Sequence, residues 1–388
     1  MRLTRLFRDL WESERAGGMV LVLCTILSLV LTNSAWGEPY VGLWHMKLAG
    51  HPVEFWINDG LMAVFFLLVG VELKRELLVG ELSRIKHALL PAMAALGGML
   101  VPAGIHFILN HGTATASGAG IPMATDIAFA IGILSLLGDR VPVALKVFLT
   151  ALAVIDDLGA IIAIALFYST GVSWADLSVA LAIFLLMFSL ERMRVGKLWI
   201  YLALGVVMWV FMLRSGVHPS ITGVLVAFAI PFHSKKGMAQ RLEGALHKPV
   251  AFFIMPVFAL ANTCIHLDSG WASDLFSTNS MGIFLGLVLG KPLGITLFTA
   301  IAVAVRMCSL PRGTRWSHVA GVGFLGGIGF TMSIFITLLA FNDPATIMHA
   351  KTAILISSTV AALIGLFWLK AALPSASAVK KEGDLEVA

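Results

Sequence analysis

Charge is what this chain has least of: Asp, Glu, Lys and Arg together make up 13% of its 388 residues. A soluble domain carries about 25%, so there is too little charge here to cover a water-facing surface. Cysteine is scarce too. Cys24, Cys264 and Cys308 lack the spacing of a metal site and are too few for a disulfide framework, and they read as reduced packing residues. Neither a phosphate-cradling glycine loop nor metal-ligand spacing is present, so no organic cofactor, nucleotide or structural metal is expected.

Apolar residues fill the space that charge leaves. They amount to 59% of the chain, against roughly 45–50% in soluble proteins, and the mean hydropathy is +0.92. Apolar runs recur along the whole length, which predicts an all-α polytopic membrane protein. Twelve spans can be marked: Gly17–Leu31, Gly60–Val79, Leu89–Leu109, Ile121–Leu137, Val141–Tyr168, Leu177–Leu190, Leu198–Leu213, Val217–Phe232, Val250–Ile265, Met281–Val305, Val319–Phe341 and Ala353–Leu369. Several fall short of the about 20 residues that cross a bilayer, so their ends must lean on neighbouring helices or snorkelling side chains.

The basic residues sort by side. Of the 27 lysines and arginines, Lys47, Arg214 and Lys351 fall in one set of alternate loops and Lys291 falls inside a span. All the others lie in the opposite set or at the termini. By the positive-inside rule both termini then face the cytoplasm, which requires an even number of spans. The net charge of +5 is a topology signal on this reading, and no nucleic-acid partner is expected. An arginine-rich start before Gly18–Leu31 has the form of a signal peptide, but its loss would break the alternation, so the first span is expected to stay. The external stretch 33–56 carries Trp36, Tyr40, Trp44 and Trp56 and suits an interfacial hairpin. A single transmembrane domain, 1–373, is followed by 374–388, which read as a disordered cytoplasmic tail.

Against this background two neighbouring acids stand out. Asp156 and Asp157 lie mid-span in ALAVIDDLGAIIAIALFY, with nothing nearby in sequence to neutralise them. Each charge at a bilayer centre costs about 3 kcal/mol on insertion scales, so two of them mark a site that handles cations or protons. Neighbours on a helix point about 100° apart, so both can border one cavity without sharing one partner. Close carboxylates titrate as a coupled pair, and a hard cation needs the same oxygens that protons neutralise. Cation and proton then exclude each other, and that competition is the coupling of an exchanger. Lys291, in LVLGKPLGI, is the one basic residue deep in a span. Its expected partner is Asp156, with the carboxyl ends of half-helices as the alternative.

The fourth and eleventh spans are not uniform. The fourth contains Pro122, Thr125, Asp126 and Gly132; the eleventh contains Gly321, Gly323, Gly326, Gly327 and Gly329, then Thr331 and Ser333. Irregular backbone survives at membrane depth only where buried protein or a wet cavity satisfies it. Two interrupted spans in corresponding positions of two repeats point to a transport site. Their offset of seven makes them run in opposite directions, as inverted repeats of spans 3–5 and 10–12 require. Close packing through small residues is the plainer reading of the glycines. Opposed half-helix amino termini would create a positive focus that Asp126 offsets, with direct ion contact as the alternative. Thr125 can cap a half-helix or lend an oxygen, and Asp59 is expected to cap the second helix.

Six strings carry a resemblance: WINDGLMAVFFLLVGVELKREL from Trp56, IPMATDIAFAIGIL from Ile121, ALKVFLTALAVIDDLGAIIAIALFY from Ala144, SGVH from Ser215, GKPLGI from Gly290 and GIGFTMSIFI from Gly327. In this order they resemble the NhaA-type sodium/proton antiporter family of bacteria, over essentially all of Gly17–Leu369. That family itself typifies inverted repeats with broken helices, so the repeat argument is not independent of it. The resemblance implies exchange of Na⁺ or Li⁺ for H⁺ across the inner membrane. It implies Asp157 as principal cation ligand and Asp156 as its proton-carrying neighbour. It also implies a cytoplasmic pH-sensing cluster containing Glu72 and Glu243, a pH response at His218, and a homodimer formed through the stretch 33–56. Around Glu243 this chain has Gln240 and Gly244, where the best-known member is more basic and richer in histidine.

Two other classes fit parts of the pattern. An intramembrane aspartyl protease would pair Asp126 with Asp157 on separate helices, and a Mg²⁺ enzyme would want more carboxylates than DDLGA supplies. Neither gives Lys291 or the eleventh span a purpose. A cation channel would need no titratable coupling pair. The expectation is a transporter and not an enzyme.

Overall fold

The computed structural model describes residues 14–169, 171–232, 237–266, 271–311 and 313–374. All of the expected tail except Pro374 lies outside these, as do Arg2, Arg5, Arg8, Lys235, Lys236, Arg312, Lys380 and Lys381 of the charge pattern. Among the described residues the chain is almost wholly helical, as lipid demands, because a helix satisfies its own backbone polar groups. Among the described residues, nine helices are long and apolar enough to cross a membrane, or up to eleven if each of two bent pairs is one span.

In chain order the helices are α1, Glu14–Thr32, and α2, Gly37–His45, which follow one another across a bend of 115°. A short antiparallel hairpin pairs Lys47 with Pro52 and Leu48 with His51, and the Trp56 indole N–H donates to Leu48 O at 2.8 Å. Next come α3, Val53–Leu78, and α4, Ile85–Asn110. A 3₁₀ stretch, Ala116–Met123, leads through extended Ala124 into α5, Ile127–Leu136. Then follow α6, Val143–Phe167, α7, Trp174–Arg192, α8, Leu198–Ser215, and α9, Ile221–Ala229. The last are α10, Met238–Asn262, α11, Thr278–Ala304, α12, Trp316–Gly326, α13, Phe330–Ala340, and α14, Pro344–Ala372.

The eighth expected span, 217–232, differs most from the pattern. It holds only the nine-residue α9, too short to count as a crossing helix. Prolines bracket it at 219 and 231, and the residue before a proline is pushed out of helical geometry. Ile230 accordingly sits at φ −71°, ψ 132°. The expectation for Asp59 also fails. α3 begins at Val53, with Pro52 as its cap, and Asp59 lies inside a π-helical turn, Trp56–Leu61.

The chain divides into two compact units: one of residues up to 20, 84–156 and from 267 onward, the other of 21–83 and 157–266. Within the first, α11 runs along α4, and α12, α13 and α14 pack together. The second is centred on Tyr201, Met208, Val226 and Ala227, where α3, α8 and α9 meet. The division falls inside α6, between Asp156 and Asp157.

Candidate cation-binding site

Beyond the exposed Lys146 in its first turn and Thr150, α6 is apolar apart from its two acids, and both are buried near its middle, Asp156 at 0% and Asp157 at 1% exposure. Asp156 is held by two donors from distant sequence. Its Oδ2 lies 2.5 Å from Lys291 Nζ and 2.6 Å from Thr125 Oγ1. Lys291 Nζ also donates to Thr125 Oγ1 at 2.9 Å, and Lys291 and Thr125 are fully buried. Thr125 Oγ1 stands 2.8 Å from the carbonyl of Gly326 as well, so its single proton can point to either acceptor. Asp156 Oδ1 receives no hydrogen bond from any described residue. A carboxylate oxygen, a hydroxyl and a backbone carbonyl within one small volume is a donor set of the kind hard monovalent cations take.

Asp126 sits beside this group and does different work. Its Oδ1 accepts from Phe129 N at 3.0 Å, capping α5. Its Oδ2 accepts from Thr331 N at 3.3 Å and Thr331 Oγ1 at 2.5 Å, in the first turn of α13. The Asp126 N–H donates to Ile328 O at 2.7 Å. One carboxylate thus faces the positive ends of two helices at once. The remaining loose ends are tied by serines: Ser333 Oγ donates to Ile121 O at 2.7 Å, and Phe330 N donates to Ser358 Oγ at 3.1 Å.

The interruption between α12 and α13 bends the chain by 48°. Gly326, Gly327 and Gly329 line it, and glycine is needed there for space and not for dihedral angle. Gly327 has φ −71°, yet a Cβ on it would stand 2.3 Å from Leu287 O.

The residues expected to answer pH lie in two places within the second unit. On α3, Arg75 pairs with Glu243 of α10, and Arg75 Nη2 lies 2.9 Å from Glu76 Oε1. Glu72 is within electrostatic reach of Glu243, Arg75 and Glu76. Lys74, nearly buried, donates to Phe228 O at 2.7 Å and Ile230 O at 2.6 Å, closing the carboxyl end of α9. His218 belongs elsewhere: its Nε2 lies 3.1 Å from Asp59 Oδ1, and its Nδ1 lies 2.7 Å from Ser220 Oγ. Asp59 is about 20 Å from Glu72 along α3 at 1.5 Å per residue. Sequence reasoning missed Ser358 and the Asp59–His218 pair, since nothing local announces either. It also treated Lys74 only as a topology charge, although its place just after Glu72 on an apolar helix hinted at a buried partner.

Buried acids and a buried ammonium inside apolar helices define a class: polytopic helical membrane proteins that handle ions within the bilayer. The chain belongs to the Na⁺/H⁺ antiporter 1 family, whose model matches residues 8–369. It is similar to the Na⁺/H⁺ antiporter NhaA of Cytophaga hutchinsonii, at 60% identity over 375 residues covering 96% of this chain and 97% of the relative. NhaA 1 of Flavobacterium johnsoniae is 56% identical over 95% of this chain and 98% of its own length. NhaA of Vibrio cholerae is 48% identical over 95% and 98%.

Proposed function

We propose that this protein exchanges Na⁺ or Li⁺ for H⁺ across the bacterial inner membrane, by alternating access at Asp156 and Asp157. The observation that carries the reading is the buried group of Asp156, Lys291 and Thr125 beside a second buried acid, inside a helix with no other reason to hold charge. Family membership and the names of the relatives support Na⁺ and H⁺ as substrates. Lys291 holds Asp156 while no cation is bound, Asp157 and Thr125 lend oxygens to the cation, and protons displace it by neutralising the same oxygens. Asp126 compensates the two helix ends. Gly326, Gly327 and Gly329 allow the interrupted backbone to approach the site.

Two carboxylates can release two protons for one monovalent cation, so exchange is electrogenic and serves pH regulation and salt tolerance. Glu72, Glu243 and His218 tune it to pH. The topology is twelve spans with inverted repeats of spans 3–5 and 10–12, spans 4 and 11 discontinuous, and both termini cytoplasmic. Copies pair as a homodimer through 33–56, in contact with membrane lipid.

Everted vesicles carrying a ΔpH dye test the reading. Added Na⁺ or Li⁺ dissipates the gradient with the natural chain, and Asp157→Asn abolishes that response. A full response from Asp157→Asn, or exchange in proteoliposomes indifferent to membrane potential, would contradict the site and the electrogenic claim respectively.

A further inference from the structure

We infer that Pro292 and the π-helical turn before it are positioning elements for transport: they fix the angle at which Lys291 meets Asp156, and so set how hard a cation must compete there. The inference rests on the reading of Asp156 as part of the exchange site.

α11 is 27 residues long, and it is π-helical over Gly286–Gly290. Such a bulge absorbs one extra residue without turning the helix on either side of it. Its location therefore decides which side's register each residue follows. With the bulge before it, Lys291 follows the carboxyl-terminal register. The buried face there runs through Lys291, Ile295, Thr299 and Ala302, while Leu293, Leu297 and Ile301 face outward. With the bulge after it, Lys291 would follow the register of Asn279 and Ile283 and turn by about 100°, away from Asp156.

Pro292 pins the bulge where it is. The Lys291 N–H donates to Gly286 O, five residues back. The next rung would start from residue 292 in either register, and proline has no N–H to give. Its ring also crowds the carbonyl four residues back, that of Val288. A wide turn immediately before Pro292 relieves that crowding, so Lys291 falls on the far side of the bulge. The surroundings accept the wide turn because its inner face is bare. A Cβ on Gly286 would stand 2.7 Å from Pro122 Cβ, and one on Gly290 would stand 2.9 Å from Pro102 Cα. Leu287 O, from the same turn, reaches the backbone at Gly327, so the bulge abuts both interrupted segments.

The test compares the natural chain, Pro292→Ala and Pro292→Ala/Leu293→Pro in proteoliposomes, measuring Na⁺-driven proton flux across a pH series, with monodispersity in detergent as the folding check. Alanine unpins the bulge; the double variant pins it one residue later and takes Lys291 into it. A cation beside a carboxylate favours the ionised form, so misaligning Lys291 moves the pH profile to the alkaline side. The expected shift is about half a unit for Pro292→Ala and about one unit for the double variant, with the maximal rate retained. A lower rate at every pH on an unmoved profile, or the natural profile in both variants, overturns the inference. If Pro292→Ala aggregates, the double variant, whose helix keeps a proline, carries the test with the same two outcomes. Asp156→Asn and Asp157→Asn run alongside. Loss of exchange there with an unmoved profile in the Pro292 variants sinks this inference alone; full exchange there sinks the reading of the site.

Discussion

Lys291–Asp156 and Arg75–Glu243 are both ion pairs between helices, yet their surroundings are opposite. The first has both side chains at 0% exposure, whereas in the second the Arg75 side chain is 38% and Glu243 13% exposed. Burying a pair of charges costs more in lost hydration than the attraction alone returns, and an apolar pair of similar shape is often as stable. A half-open pair sits near the median of surface bridges, about 0–1 kcal/mol. Stability alone therefore does not account for the buried pair, and the exchange proposed above gives it a purpose, whereas the open pair costs little to keep.

The comparison breaks most visibly at Lys291. Lys291→Met leaves Asp156 buried and unopposed, and is expected to cost about 3–5 kcal/mol of stability when Asp156 is ionised. Thermal unfolding in detergent should show the loss growing as the pH rises; a loss independent of pH would mean the pair is ordinary packing. Asp126→Ala comes next. It removes the acceptor for both α5 and α13, at about 1 kcal/mol per cap. Asp126→Asn, which keeps one acceptor oxygen, should lose visibly less in the same measurement.

Glu243→Gln should leave unfolding within about 1 kcal/mol of the natural chain while moving the pH profile of exchange. An unmoved profile would reduce the Arg75 cluster to a fold-stabilising feature. The smallest effect is expected outside the spans. Asp343 caps α14 through Thr346 N and Oγ1, at 2.9 and 2.7 Å, and these bonds hold its carboxyl below the usual carboxylate range. Its folded value is lowered, so its contribution is present above the ordinary carboxylate range and fades as pH falls through the lowered value. Asp343→Ala should give a slight drop in Tm near neutral pH that vanishes in acid.

Much of this was legible in the order of residues. The apolar runs predicted the helices, Asp156 and Asp157 announced themselves by their cost, and Lys291 was matched to Asp156 because no other deep base exists to oppose a deep acid. Asp126 was expected between two half-helix amino termini from the interrupted fourth and eleventh spans, an argument tied to the family resemblance, with direct ion contact as the alternative. What stayed hidden has a common physical cause. A π turn leaves the periodicity on either side of it intact, so the three turns at Trp56–Leu61, Val250–Ile254 and Gly286–Gly290 gave no pattern to read. Hydrogen bonds such as Ser358 to Phe330, or His218 to Asp59, join groups whose local sequence is unremarkable in type. The helix in the eighth expected span is shorter than its run because Pro219 and Pro231 sit inside an apolar stretch whose composition alone reads as continuous.

The Asp126 joint has one more consequence. Its amide, both its carboxylate oxygens and the Thr331 hydroxyl rivet the start of α5 to the start of α13. Prising those two helices apart would strand a charge and two amides in a dry place. Under the alternating access proposed above, α5 and α13 would travel together as one stiff lever.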